Sequence, residues 1–163
     1  MILNRQRKVR VAQRPLRLFL RRLQEHLGLR AAEVTICLVS DAEIVRMNEV
    51  FRKKTGPTDV LSFPAAARRK PFKPARSGRV VQNENRAANL DKQGKSDAQY
   101  LGDVAISPAA ARRNAKEFGR TLPSELQILI LHGVLHLLGY DHETDRGQMH
   151  RVEQRLRRRL GLA

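Results

Sequence analysis

The stretch that most constrains the fold is TLPSELQILILHGVLHLLG, residues 121–139, which is apolar on almost every side of a helix. A helix without a polar face cannot lie on a protein surface, so other elements must surround it. Thr121 fits the N-cap at its start, and Gly139 is typical of a C-terminal stop. The chain is therefore expected to fold around one buried central helix.

Shorter patterned segments supply the surroundings of this helix. Strands are predicted at 2–11 (as a basic edge strand), 33–40, 60–63 and 100–107. Amphipathic helices are predicted within 14–28, 40–51, 107–119 and 144–163. This order predicts an α+β fold, with a four-stranded mixed sheet packed against about five helices.

One segment, residues 65–99, breaks the pattern. It holds nine Lys or Arg against three acidic residues, and it shows little periodicity. A chain of 163 residues is expected to form a single domain, here 1–163, with 65–99 as a flexible basic insertion. A tolerated surface insertion and a basic arm that contacts nucleic acid both account for it.

The charge balance indicates the kind of partner. Lys and Arg number 32 against 16 Asp and Glu, a formal net charge of +16. Such an excess favours a polyanion, most often nucleic acid. Aromatic residues make up only 4% of the chain, so a nucleic-acid surface must rely on charge more than on base stacking.

The remaining bulk features indicate the compartment. No apolar run approaches the ~20 residues of a membrane span, and the N-terminus lacks the apolar region of a signal peptide. The single cysteine, Cys37, cannot form an internal disulfide. We therefore expect a cytoplasmic protein that does not bind membranes.

Three of the five histidines lie in HGVLHLLGYDH, residues 132–142. His132 and His136 are four apart, so their imidazoles project from one helix face. The stop at Gly139 lets the chain turn back with His142. Three protein ligands leave a tetrahedral Zn²⁺ one open position for water, as in catalytic sites. We predict one zinc ion at His132, His136 and His142, although imidazoles also accept Ni²⁺, Fe²⁺ or Cu²⁺. The other two histidines, His26 and His150, match no ligand spacing and are predicted to be surface residues.

The residue after the first of these histidines argues against a zinc protease. Proteases of that type carry H-E-x-x-H with Glu as the general base, and this chain has Gly133 there. Glycine costs helix stability, so it indicates close approach by a substrate or a neighbouring strand. Without a glutamate at this position, the sequence does not identify a general base. Asp141, Asp59 and Asp103 are candidates, with imidazole-orienting, turn or cap roles as the alternatives.

Three segments resemble one known family in order and spacing. HGVLHLLGYDH matches H-G-x-L-H-L-x-G-Y-D-H, the motif of the YbeY-type endoribonucleases, the bacterial rRNA maturation factors. MNEVFRKKTGPTDVLSFP (47–64) and LGDVAIS (101–107) are similar to two further stretches of that family. The resemblance covers most of 33–160, but family members often have a shorter connection at 65–99.

The resemblance implies a single-strand-specific, metal-dependent endoribonuclease in 16S rRNA 3′-end maturation and ribosome quality control. The resemblance also implies that the metal is zinc and that the functional arginine of the family corresponds to Arg52. A guanidinium near the metal can clamp a phosphate and stabilise the charge that builds up during phosphodiester hydrolysis. Arg52 and His132 are therefore the predicted catalytic residues, and RNA (rRNA or ribosomal particles) is the predicted partner.

Two other classes fit parts of the sequence. A non-catalytic RNA-binding assembly factor, with zinc holding its fold, would bind rRNA without metal-dependent turnover and would unfold without the metal. A metal hydrolase of a small anionic substrate is the other class. The large basic excess argues against it.

Overall fold

The computed structural model of the protein describes residues 1–65 and 99–162. The strands are β1 (Ile2–Asn4), β2 (Glu33–Leu38), β3 (Val60–Pro64) and β4 (Tyr100–Ile106). The α-helices are α1 (Gln13–His26), α2 (Asp41–Met47), α3 (Pro108–Glu117), α4 (Leu122–Leu137) and α5 (Gln148–Leu160). A short π-helix, Asn48–Arg52, continues α2. The predicted insertion at 65–99 lies outside the described residues except for its two end positions.

The four strands form one mixed sheet in the order β1-β2-β4-β3. β1 and β4 run parallel to β2, whereas β3 runs antiparallel to β4. The α+β architecture with a four-stranded mixed sheet and five α-helices is confirmed for the described residues.

The edge strand is much shorter than predicted. The prediction of a strand over 2–11 is wrong beyond Asn4, where β1 ends. The side chain of Gln6 is responsible: its Oε1 accepts from Val9 N, and its Nε2 donates to Val9 O, both at 2.9 Å. Because these bonds satisfy the backbone of Val9 inside a loop, that backbone is not available to a sheet partner.

Three helices begin at side-chain caps, one of which, Thr121, the sequence predicts. Ser40 Oγ accepts from Glu43 N at 3.2 Å, and Ser107 Oγ accepts from Ala110 N at 3.1 Å. Thr121 Oγ1 accepts from Ser124 N at 3.3 Å at the start of α4. Each cap satisfies an amide that has no partner within its own helix.

The apolar character of α4 follows from its neighbours. It packs on β3 and β4 with one side, and α1, α3 and α5 contact its other sides. Its most buried side chains are Leu126, Ile130, Leu131, Val134, Leu135 and Leu137. Within 1–65 and 99–162, no helix has both the length and the apolar character needed to cross a membrane.

Candidate metal centre

Gly133 sets the distance between α4 and the sheet. A Cβ on this residue would lie 2.4 Å from Val104 Cγ1 and 3.3 Å from Ser62 Oγ. Ser62 Oγ also donates to Gly133 O at 3.1 Å. The close approach is therefore made by the neighbouring strands. A glutamate at this position would collide with the sheet, which is the physical reason why the protease pattern cannot occur here.

The three predicted metal ligands lie together at the C-terminal end of α4. His132 and His136 are on its last turns, and their Nε2 atoms are 3.1 Å apart. Gly139, at φ 86°, turns the chain back so that His142 joins them. One ring nitrogen from each histidine lies within 4.8 Å of the other two. Tetrahedral ligands at 2.0–2.1 Å from Zn²⁺ are roughly 3.3 Å apart, and the three ring nitrogens lie close enough together that they could hold one metal ion.

The protonation of His136 also suits a metal ligand. Burial lowers its pKa to about 4, and the charges of His132 and His142 act in the same direction. The ring is therefore neutral at pH 7, which is the form of imidazole that binds metals.

Glu153, on α5, holds the first histidine of the cluster in place. His132 Nδ1 donates to Glu153 Oε2 at 3.0 Å, which leaves Nε2 of the ring on the side of His136. Arg157 Nη2 donates to the other oxygen of Glu153. Burial would raise the pKa of Glu153, but the hydrogen bond from His132 and the charge of Arg157 outweigh it and lower the pKa. An ionised carboxylate behind a ligand imidazole fixes the ring orientation and increases its basicity.

Glu153 is not among the site residues predicted from the sequence, although α5 carries a signal for it. The helix is amphipathic and strongly basic, and this glutamate falls on the apolar side with Met149 and Leu156. A carboxylate on the buried side of a helix requires a partner. Which partner it has could not be read from the sequence, because His132 is 21 residues away.

The three aspartates that were considered as bases have structural partners. Asp141 accepts from Glu143 N at 3.0 Å and from Thr144 Oγ1 at 3.1 Å, which closes the turn after α4. Asp59 accepts from Asn114 Nδ2 at 2.8 Å. Asp103 accepts from the Tyr100 hydroxyl at 2.5 Å.

Arg52 lies at the end of the π-helix, on the wall of the cavity that contains the histidines. Its Nη2 is 3.5 Å from Glu143 Oε2, and Lys54 Nζ donates to Glu143 Oε1 at 2.8 Å. Both cations and the carboxylate are largely exposed, so solvent screens these pairs and they add little to stability. Lys54 also lines this cavity.

The cavity is open and has a volume of about 900 Å³. The histidines line it together with Arg52 and the side chains of β3. His26 and His150, predicted to be surface residues, are exposed.

A buried helix that ends in a three-histidine cluster, beside a cationic wall, defines an α+β protein with a candidate divalent-metal site for an anionic ligand. The family model described as Endoribonuclease YbeY matches residues 1–161. The chain belongs to this family, as the motifs of the sequence predict.

Individual relatives agree with the family model. The Endoribonuclease YbeY of Solibacter usitatus is 43% identical over 144 residues, covering 88% of this chain and 76% of that protein. The protein of the same name from Koribacter versatilis is 38% identical over 162 residues, covering 99% and 86%. The solution structure of TM1509 from Thermotoga maritima is similar at a TM-score of 0.55 and 26% identity, and covers 98% of this chain and 89% of TM1509.

Proposed function

We propose that this protein is a metal-dependent endoribonuclease of the cytoplasm that cleaves single-stranded RNA, with 16S rRNA 3′-end maturation and ribosome quality control as its role. The observation that carries the proposal is the juxtaposition of three imidazoles and Arg52 in one open cavity. The relatives named Endoribonuclease YbeY support the reaction class.

The donor set suits a zinc ion held by His132, His136 and His142. His136 is neutral at pH 7, and Glu153 orients His132. A bound Zn²⁺ supplies a Lewis acid and lowers the pKa of a water molecule at its open position. The proposed role of His132 in catalysis is to hold the ion in place, because its ring orientation is fixed by Glu153.

Within the described residues, Arg52 and Lys54 are the arginine and lysine side chains that line the cavity and are placed to contact a phosphate. Both now pair with Glu143, through weak and exposed contacts. A phosphodiester that enters the cavity exchanges these contacts for charge-assisted hydrogen bonds, and the Arg52 guanidinium stabilises the additional charge of the transition state. The net charge of +16 attracts the rest of the RNA strand by counterion release.

The packing of α4 argues against the non-catalytic alternative. A protein that needs zinc to hold its fold lacks a sufficient core of its own. Here α4 lies in a continuous apolar core that spans the sheet and the helices, and the histidines lie at one end of it. The three-histidine set also falls short of the four protein ligands typical of structural zinc.

The test compares wild type with His132→Ala and Arg52→Ala on a single-stranded RNA, with and without a chelator. His150→Ala is the matched control, because His150 is an exposed histidine on α5. We expect a loss of about 100-fold or more for Arg52→Ala, similar to the loss of an oxyanion donor. Cleavage by wild type and His150→Ala should stop with chelator and return with Zn²⁺. Equal, chelator-resistant cleavage by wild type and His132→Ala would refute the proposal.

A further inference from the structure

An exposed phenylalanine lies beside the phosphate-binding arginine. Phe51 is 66% exposed and Val50 is 70% exposed, both within the π-helix Asn48–Arg52. Asn48 anchors this helix from the buried side, where its Nδ2 donates to Gly56 O at 3.3 Å. Single-turn π-helices are rare and often occur at functional sites. This one turns Phe51 outward immediately before Arg52.

A second aromatic ring holds Phe51 in position. The ring of Phe63, on β3, meets it edge-on, with centroids 5.2 Å apart and an interplanar angle of 77°. Both rings line the cavity that contains the three histidines. Phe51 is thus braced on one side while most of its surface stays in solvent, which prepares it to receive a flat ligand.

The other exposed phenylalanine and tyrosine rings of the described residues make different contacts. The Arg120 guanidinium lies over the ring of Phe118, 5.1 Å from its centroid. The hydroxyl of Tyr100 donates to Asp103. Of the exposed phenylalanine and tyrosine side chains in this part of the chain, only Phe51 lines the cavity.

The surroundings of Phe51 specify the chemistry of a ligand. A ligand with a flat apolar face and an adjacent negative charge would fit a ring that is followed by Arg52, with Lys54 close by. An unpaired nucleotide has both parts. A base inside a duplex is stacked and paired on both sides, so it would have to be extruded before it could reach the ring.

We propose that Phe51, braced by Phe63, is a stacking subsite for an unpaired nucleobase next to the phosphate at Arg52, and that it makes the site selective for single strands. The identity of the ligand as RNA rests on the proposed function. The low aromatic content of the chain predicts reliance on charge, and this subsite adds one specific stacking contact to it.

The experiment measures binding of a nuclease-resistant 2′-O-methyl phosphorothioate strand to the metal-loaded protein. In a series of such strands, one position at a time carries 2-aminopurine, whose fluorescence falls on stacking, or no base at all. The variants are Phe51→Ala, Phe51→Leu and Phe51→Tyr, where the leucine keeps an apolar contact with Phe63 but has no aromatic face. Phe118→Ala removes an exposed ring outside the cavity and is the matched control.

We expect quenching of 2-aminopurine at one position of the strand bound to wild type. Phe51→Ala and Phe51→Leu should lose this quenching and bind about 5- to 150-fold more weakly, the range for one base stacked on an aromatic side chain. Phe51→Tyr and Phe118→Ala should bind within about twofold of wild type. Removing the base at the quenched position should weaken wild type by the same factor and leave Phe51→Ala unchanged.

The inference is overturned if Phe51→Ala and Phe51→Leu bind the strand as tightly as wild type. It is also overturned if removing the base weakens binding to Phe51→Ala as much as it weakens binding to wild type, because the base and the ring would then act independently. Thermal melts of each variant identify any loss due to misfolding, and Phe51→Leu then decides the question. Cleavage of native RNA by the same proteins separates the two proposals. Stacking without chelator-sensitive cleavage contradicts only the proposed function, and cleavage without stacking contradicts only the subsite.

Discussion

Replacing Glu153 by glutamine tests whether the carboxylate behind His132 organises the proposed metal centre. Both partners of Glu153 are donors: His132 Nδ1 at 3.0 Å and the guanidinium of Arg157. A glutamine side chain has one acceptor oxygen and one donor nitrogen. It can satisfy one partner, but its amide then faces the other donor. The substitution keeps the shape of the side chain and removes only the matched pair of acceptors.

The size of the effect follows from the burial of this contact. The Glu153 side chain is 11% exposed, so solvent screens its hydrogen bonds little. A hydrogen bond to a charged group contributes about 1.5–3 kcal/mol. Loss of the partner of a ligand histidine lowers metal affinity about 10- to 100-fold, or about 1.4–2.7 kcal/mol. The hydrogen-bond energy and the loss of metal affinity agree in size, so we expect Zn²⁺ affinity to fall about 10- to 100-fold.

The assay is competition for Zn²⁺ with a chromophoric chelator, together with urea unfolding of the metal-free proteins. Glu117→Gln removes the same charge from an exposed position on α3 and should bind Zn²⁺ like wild type. Metal-free Glu153→Gln should be less stable by about 1–3 kcal/mol, because a buried donor is left unpaired. Wild-type metal affinity in Glu153→Gln, alongside this loss of stability, would show that Glu153 supports only the fold and would contradict a role for it in metal binding.

Three further predictions concern helix packing, pH and the cationic wall. Gly133→Ala should destabilise the protein by about 1–3 kcal/mol in urea unfolding, despite the better helix propensity of alanine, because its Cβ would meet Val104 at 2.4 Å; unchanged stability would contradict the packing of α4. The hydrogen bond from Arg113 lowers the pKa of Asp41, so this carboxylate stabilises the fold above its unfolded pKa near 3.9, and the effect disappears as pH falls through the lower folded value. Asp41→Asn should therefore lower the free energy of unfolding by about 0.5 kcal/mol at pH 7, since the pair is exposed, and by progressively less below pH ~4. Thermal melts at a series of pH values measure this loss, and a loss that does not depend on pH would contradict the ion pair. Glu143→Gln frees two cations and should tighten RNA binding about two- to fivefold at low salt, an advantage that high salt removes in a titration series; weaker binding would contradict a competing role for this carboxylate.

Much of the fold was predictable because its signals are local. The caps at Ser40, Ser107 and Thr121 act within three residues of the helix start, and the structure has all three. The edge strand was overestimated because alternation of apolar and basic residues does not reveal a side chain such as Gln6 that closes a loop on Val9.

The histidine cluster could be predicted from the sequence alone, because histidines at positions i and i+4 of one helix and a glycine stop are features of the local chain. Long-range packing fixes what surrounds the cluster. It brought Glu153 of α5 behind His132 and the ring of Phe63 against Phe51. It also explained Gly133, through strand residues 29 and 71 positions away in the chain. Such contacts join segments distant in sequence, and local periodicity carries no information about which distant side chain a residue will meet once the helices and the sheet have packed together.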